Sequence, residues 1–236
     1  MRSLIVMAMF VASFADAAWN DYSSVRELKL EADGIESLQV DAGAGSMEIK
    51  GVDGLDKVVV NATVIVPESN DEDALKIIDK KMRLSLDRKG DRAKLDAFFE
   101  DGFFGRGSSA RIDLKISVPV GMAVEIDDGS GSIELRDIAA DVSIDDGSGS
   151  IQVHGVANLS IDDGSGSIDV TGAAGNVAIV DGSGSINVRS VGGSVTIDDG
   201  SGSIKVSDVE SDLIIVDDGS GGFDYSDIRG SVMEDS

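Results

Sequence analysis

The 236-residue chain has no cysteine and a single histidine, His154. The first absence excludes disulfide bonds, a Cys–His catalytic pair and a lipid anchor carried on cysteine. The second excludes a multi-histidine metal site. Basic side chains are scarce: 20 lysines and arginines stand against 44 aspartates and glutamates, a net charge of −24. Residues 124–236 alone hold 23 acidic and 4 basic side chains. Such a surface repels nucleic acid and anionic headgroups, and its natural counterparts are cations or basic partners. Long apolar runs are lacking as well. The stretch from Leu4 to Ala15 is too short to span a bilayer. With Arg2 ahead of it and small residues behind, residues 1–18 read as a secretory signal peptide cleaved after Ala17 or Ala18. The mature chain is therefore expected to be exported (periplasmic, cell-surface or secreted) and not membrane-spanning.

What the chain has in abundance is one turn. IDDGSGSI at 126–133 returns every 17–19 residues, with turn glycines at 129, 147, 164, 182, 200 and 219. A period in this range marks a solenoid. The apolar residues keep the same register: Ile133, Leu135, Ile138, Val142 and Ile144 in one coil, then Ile151, Val153, Val156, Leu159 and Ile161 in the next. Each coil carries two apolar-x-apolar pairs, the period-2 alternation of short strands with one buried face, and β-branched residues dominate them. One coil cannot bury that face alone, whereas stacked coils share a core. The expected fold is all-β: a single-chain parallel β-solenoid of 17–19 residues per coil, right-handed by the general preference of parallel connections. Phe223 and Tyr225 take the two leading apolar slots of the last coil.

An earlier copy of the turn, LQVDAGAGSMEIKG at 38–51, puts the start of the solenoid near residue 24. An insertion, 52–118, follows it. DKVVVNATVIV reads as a strand, SNDEDALKIIDK as a short helix with Ser69 and Glu72 spaced as a capping box, and MRLSLDRKGDRAKLDAF as a hairpin turning at Lys89-Gly90. The expected organisation is a signal peptide at 1–18, an irregular N-terminal part of the solenoid at 19–123 containing the insertion, and the regular repeat at 124–236.

The G-x-G-S-x-E-I-x-G coil, the helix-and-hairpin insertion, the lead-in of Val118, Pro119 and Gly121, and the recurring S-G-S-I turns together resemble the bacterial candidate-adhesin β-strand-repeat family. Its function is unknown. The resemblance spans nearly the whole mature chain and implies an exported or envelope β-solenoid with no catalytic residues to carry over. The regularity and acidity of the turns set this chain apart from that pattern.

Two aspartate columns carry the candidate chemistry. The second residue of each pair gives Asp128, Asp146, Asp163, Asp181, Asp199 and Asp218; the first gives Asp127, Asp145, Asp162, Asp198 and Asp217, with Val180 replacing it in the fourth coil. An aspartate before glycine can accept hydrogen bonds from the following backbone and set the turn, so the second column has a structural reason to persist. Carboxylates stacked about 4.8 Å apart repel by roughly 0.9 kcal/mol per neighbouring pair in water. Backbone donors in the turns, or calcium ions bridging adjacent coils through all eleven carboxylates, are the two means of offsetting this. Six near-identical turns suit a ladder better than an active site, because acid/base catalysis needs two carboxylates in different surroundings. His154 sits in an outward slot and reads as a surface residue.

Two further features concern partners. Phe98, Phe99, Phe103 and Phe104 cluster in AFFEDGFFGRGSS at 97–109, either as core or as an exposed patch for a partner. Residues 76–94 hold eight basic and three acidic side chains, which can lie along the acidic coils or meet those of another molecule. The expectation is a non-enzymatic adhesin or envelope scaffold with an acidic, calcium-competent edge, binding a cell-surface polymer, a protein or itself. The alternatives are a self-assembling structural protein and a carbohydrate-processing enzyme, the latter requiring an acid pair off the repeat register in a cleft.

Overall fold

The computed structural model describes residues 8–10 (as backbone), 21–68, 70–100 and 110–234. The signal peptide expected at 1–18 lies outside this range except for the short strand Ala8–Phe10, which pairs antiparallel with 25–27. Strands dominate the rest, with one helix, Asp71–Lys81.

From residue 124 onward, the chain winds as the period predicts. Each coil lays a short strand into one sheet (Val142–Asp146, Leu159–Asp163, Val177–Asp181, Val195–Asp199). It then turns at Gly-Ser and lays a longer strand into a second sheet (Gly149–Val156, Gly166–Ala173, Gly184–Val191, Gly202–Val209). All pairings between coils are parallel, and they stay in register up to a shift after Ile197 in the last coils. Ile144, Ile161, Ile179 and Ile197 form one inner column, and Ile151, Ile168, Ile186 and Ile204 the facing one. Alternation turns these isoleucines, with Val153, Val170 and Val188, into a continuous buried core between the sheets. The apolar corner residues Ile138, Val156, Ala173, Val191 and Val209 are buried as well.

Both corners are stacked as tightly as the strands. At the turn corner, Gly147 N–H donates to the Asp128 carbonyl at 2.9 Å, and the same bond recurs from Gly164, Gly182 and Gly200. A Cβ on Gly166, whose φ is +152°, would overlap the Gly149 carbonyl below it, so glycine is the only residue this corner admits. The opposite corner carries a ladder that the periodicity did not reveal. Asn158 donates to the Asp141 carboxylate at 2.8 Å, and the Asn158 side chain accepts from the Asn176 N–H at 2.8 Å. Asn176 accepts from Ser194 N–H, and Asp212 from Ser231 N–H.

The N-terminal part departs from expectation in three ways. The copy at 38–51 does stack on the first regular coil, with Val40 opposite Ile126 and Met47 opposite Ile133. The strand Tyr22–Glu31, however, is no solenoid strand: it pairs antiparallel with Lys57–Val66, which pairs antiparallel with 111–117, so the two extend the second sheet at its edge. Nor does the insertion stand apart. The hairpin strands Met82–Lys89 and Arg92–Phe99 turn at Gly90 as predicted. Arg92–Phe99 then joins the first sheet in parallel with Ser37–Ala44, while Arg111–Pro119 joins the second in parallel with Met47–Val52. These two strands amount to a further coil, because Ala93, Leu95, Ala97, Ile112, Leu114, Ile116 and Val118 repeat the inward alternation of the regular coils. Finally, the helix is capped by Asn70, which accepts from Glu72 N–H at 2.9 Å. Ser69, the expected cap, is outside the described residues.

Candidate functional site: an inner and an outer column of aspartates

The structure separates the two aspartate columns. Within each short strand, alternation sends Val142, Ile144 and Asp146 inward and Ser143 and Asp145 outward. The second column is therefore not on the molecular edge but inside the solenoid. Asp128, Asp146, Asp163, Asp181 and Asp199 are 0–4 % exposed. Asp127, Asp145, Asp162 and Asp198 lie on the outer face of the same strands, stacked in register with Val180 among them. Asp218, expected to extend the inner column, is half-exposed. The last turn is one residue longer, and the extra residue, Val216, shifts the register so that Asp217 pairs with Asp198.

Each inner carboxylate has two different oxygens. Oδ1 accepts the backbone N–H of the serine two residues on: Ser148 to Asp146 at 3.2 Å, Ser165 to Asp163 at 3.2 Å, Ser183 to Asp181 at 3.1 Å and Ser201 to Asp199 at 3.1 Å. This is the turn-setting role expected of an aspartate before glycine. Oδ2 has no hydrogen-bond partner in any of the five, and each is buried. Burial pushes the Asp128 carboxyl up to about 7, helped by the charge of Asp146 and opposed by the N–H groups of Ser130 and Gly129. It pushes Asp146 and Asp181 up to about 6, and it raises Asp163 and Asp199 as well.

Ten of the eleven candidate calcium ligands thus fall on opposite sides of one sheet rather than along a common edge, and Asp218 lies half-exposed in the last turn. Among the described residues, no three carboxylate or imidazole side chains converge as a metal site requires. Phe99 packs against the core at the end of its strand, and Phe98 lies against Gly43 of the neighbouring turn; Phe103 and Phe104 are outside the described residues. The basic stretch lies partly along its own acidic coils, with Arg92 at 3.5 Å from Glu125 and Lys94 at 3.9 Å from Asp41. His154 is half-buried on the outer face of the second sheet, in register with Arg136 and Thr171.

Open grooves flank the solenoid, and two of them carry acidic side chains off or along the corner ladder. One, of about 500 Å³, follows the corner ladder past Asp141, Asn158 and Asn176. The other, of about 670 Å³, lies off the repeat and includes Glu31, Asp33, Glu36 and Asp56. All four of its carboxylates are exposed, and Glu31 and Asp56 share Lys57 at 3.9 and 3.2 Å. No helix among the described residues is long and apolar enough to cross a membrane.

Fold and site together define a two-sheet parallel β-solenoid with one carboxylate column inside and one outside. No family model and no curated protein matches the chain. Solved structures are similar to it at low identity. A candidate cell adhesion protein from Clostridium sporogenes is 13% identical, with 91% of this chain and 100% of that one covered and a TM-score of 0.34. A candidate lipid binding protein from Parabacteroides distasonis is 14% identical, with 91% and 97% covered and a TM-score of 0.39. A candidate adhesin from Parabacteroides merdae is 11% identical, with 90% and 96% covered and a TM-score of 0.32. Candidate adhesins thus recur among the similar structures. At such TM-scores they assign the chain neither family nor activity.

Proposed function

We propose that the protein is an exported, non-enzymatic β-solenoid serving as an adhesion or scaffold module at the cell envelope, where its outer aspartate column binds a cationic partner. The observation that carries this reading is the in-register outward row Asp127, Asp145, Asp162 and Asp198. Strand spacing sets Asp127, Asp145 and Asp162 about 4.8 Å apart, and Val180 stands between Asp162 and Asp198. A rigid array of like charges on a molecule of net charge −24 attracts basic polymers and basic protein patches over a Debye length. Rigidity also limits the ordering entropy lost on binding.

The test is retention of the purified chain on isolated envelope polymers and on a polycation surface across a salt series. Replacing Asp127, Asp145, Asp162 and Asp198 together by asparagine should weaken retention at least tenfold at low salt. Retention that ignores both salt and these substitutions would sink the reading.

A further inference from the structure

Five carboxylates inside an apolar core, each with one oxygen unpartnered, cannot all stay charged without something between them. The ionisable groups that act on the column are themselves carboxyls: Asp127, Asp145, Asp162 and Asp198 behind it on the outer face, and Asp217 and Asp218 beyond its far end. No lysine, arginine or histidine is among them. The facing sheet turns Ile133, Ile151, Ile168, Ile186 and Ile204 inward, all buried and apolar. The column has defined ends. Ala42, paired with Asp128, and Ala97, paired with Ala42, close it on one side; the Val216 register shift closes it on the other.

We propose that Asp128, Asp146, Asp163, Asp181 and Asp199 form a proton-holding column inside the solenoid, in which a carboxyl O–H of one coil donates to a carboxylate oxygen of the next, so that the stack tightens as its surroundings acidify and loosens as they turn alkaline. In-register stacking at about 4.8 Å brings successive carboxyls within one group's width of a short O–H···O⁻ bond, the strongest neutral-to-charged kind. The unpartnered Oδ2 atoms supply the donors and acceptors, while Oδ1 stays on the serine N–H. Every proton taken up removes one buried charge, and the five carboxyls offer four places for a bond between neighbouring coils, so proton uptake and coil-to-coil cohesion rise together. The raised proton affinity of all five groups agrees with this geometry. The inference stands apart from the binding proposed for the outer column, which faces the other way.

Infrared difference spectroscopy of the unmodified protein, titrated between pH 4.5 and 8.5, tests it directly. Protonated-carboxyl C=O bands should persist at pH 6, well above the ordinary aspartate range, and fade towards pH 8. Urea unfolding over the same range then locates the protons. An inner variant, Asp146→Asn with Asp163→Asn, should flatten the fall of the midpoint with rising pH. The outer variant Asp145→Asn with Asp162→Asn removes the same formal charge and should keep that fall. Absence of the carboxyl bands at pH 6 overturns the proposal. So do equal slopes in the two variants, or a midpoint that responds to calcium against chelator but not to pH. If the inner variant does not fold, the infrared titration alone decides.

Discussion

Asp145 and Asp146 are neighbours in one strand, yet Asp145 faces solvent while Asp146 is 2 % exposed inside the core, with its Oδ1 on the Ser148 N–H. One turn sequence therefore places like charges in two different media. The outer carboxylate is screened by water and salt. The inner one is desolvated, and its protonation is tied to folding.

That tie gives the first prediction, and its sign follows from the raised values. Asp128 titrates at about 7 in the fold, and Asp146 and Asp181 at about 6, whereas an unfolded aspartate titrates at about 3.9. Between about pH 4 and 7 the native state binds more protons than the unfolded chain, so stability falls as pH rises through this window and levels off above it. The contribution of these groups is complete below about pH 4. Urea midpoints measured from pH 5 to 8 should drop by an amount worth on the order of 5 kcal/mol.

The outer column should behave oppositely in its response to substitution. Val180 already stands in it, about half exposed, between Asp162 and Asp198. Asp162→Val should cost nothing, and should raise stability by about 0.5 kcal/mol at low salt by relieving the repulsion with Asp145. The gain should fade in high salt, as thermal melts at two ionic strengths would show.

The turn glycines are a harder constraint. Gly166→Ala would place a methyl on the Gly149 carbonyl and require a left-handed φ. Loss of the coil-to-coil approach should destabilise the fold by on the order of 3 kcal/mol or more. Ser167→Ala, one residue on and exposed, should stay within about 0.5 kcal/mol of the unmodified protein. Chemical denaturation of the pair makes the comparison.

The corner ladder offers a fourth measurement. Asn158 both donates to Asp141 and accepts from the Asn176 backbone, each at 2.8 Å. Asn158→Ala removes both bonds and leaves the Asn176 N–H without its side-chain acceptor, which should cost about 1–2 kcal/mol. Faster hydrogen exchange at Asn176 than at Ser194 would localise the loss.

Much of the molecule was legible in the chain. The 17–19-residue period, the isoleucine slots and the G-S-G turns dictate parallel in-register coils, because no other arrangement buries every apolar pair while giving each glycine a neighbouring backbone to meet. The inward direction of Asp128 and its successors was legible too: Ile126 faces the core, and two residues later alternation returns to the same side. An Asp-Gly pair reads so strongly as solvent-facing turn chemistry that this signal is easily passed over. The corner ladder of Asp141, Asn158, Asn176, Ser194 and Asp212 left only a faint mark, since its members differ in type and share only their place in the coil.

Other features were decided only in three dimensions. Arg92–Phe99 and Arg111–Pro119 stack on the coil formed by residues 37–52 although the helix and two strands intervene in the chain; their alternation says that they need a cover, but not which one. The sequence by itself determined a repeating strand-turn-strand unit with a carboxylate pair at each turn. Only the tertiary structure decided what that pair does, because closing two sheets over a common core desolvates one member of each pair and leaves the other in water.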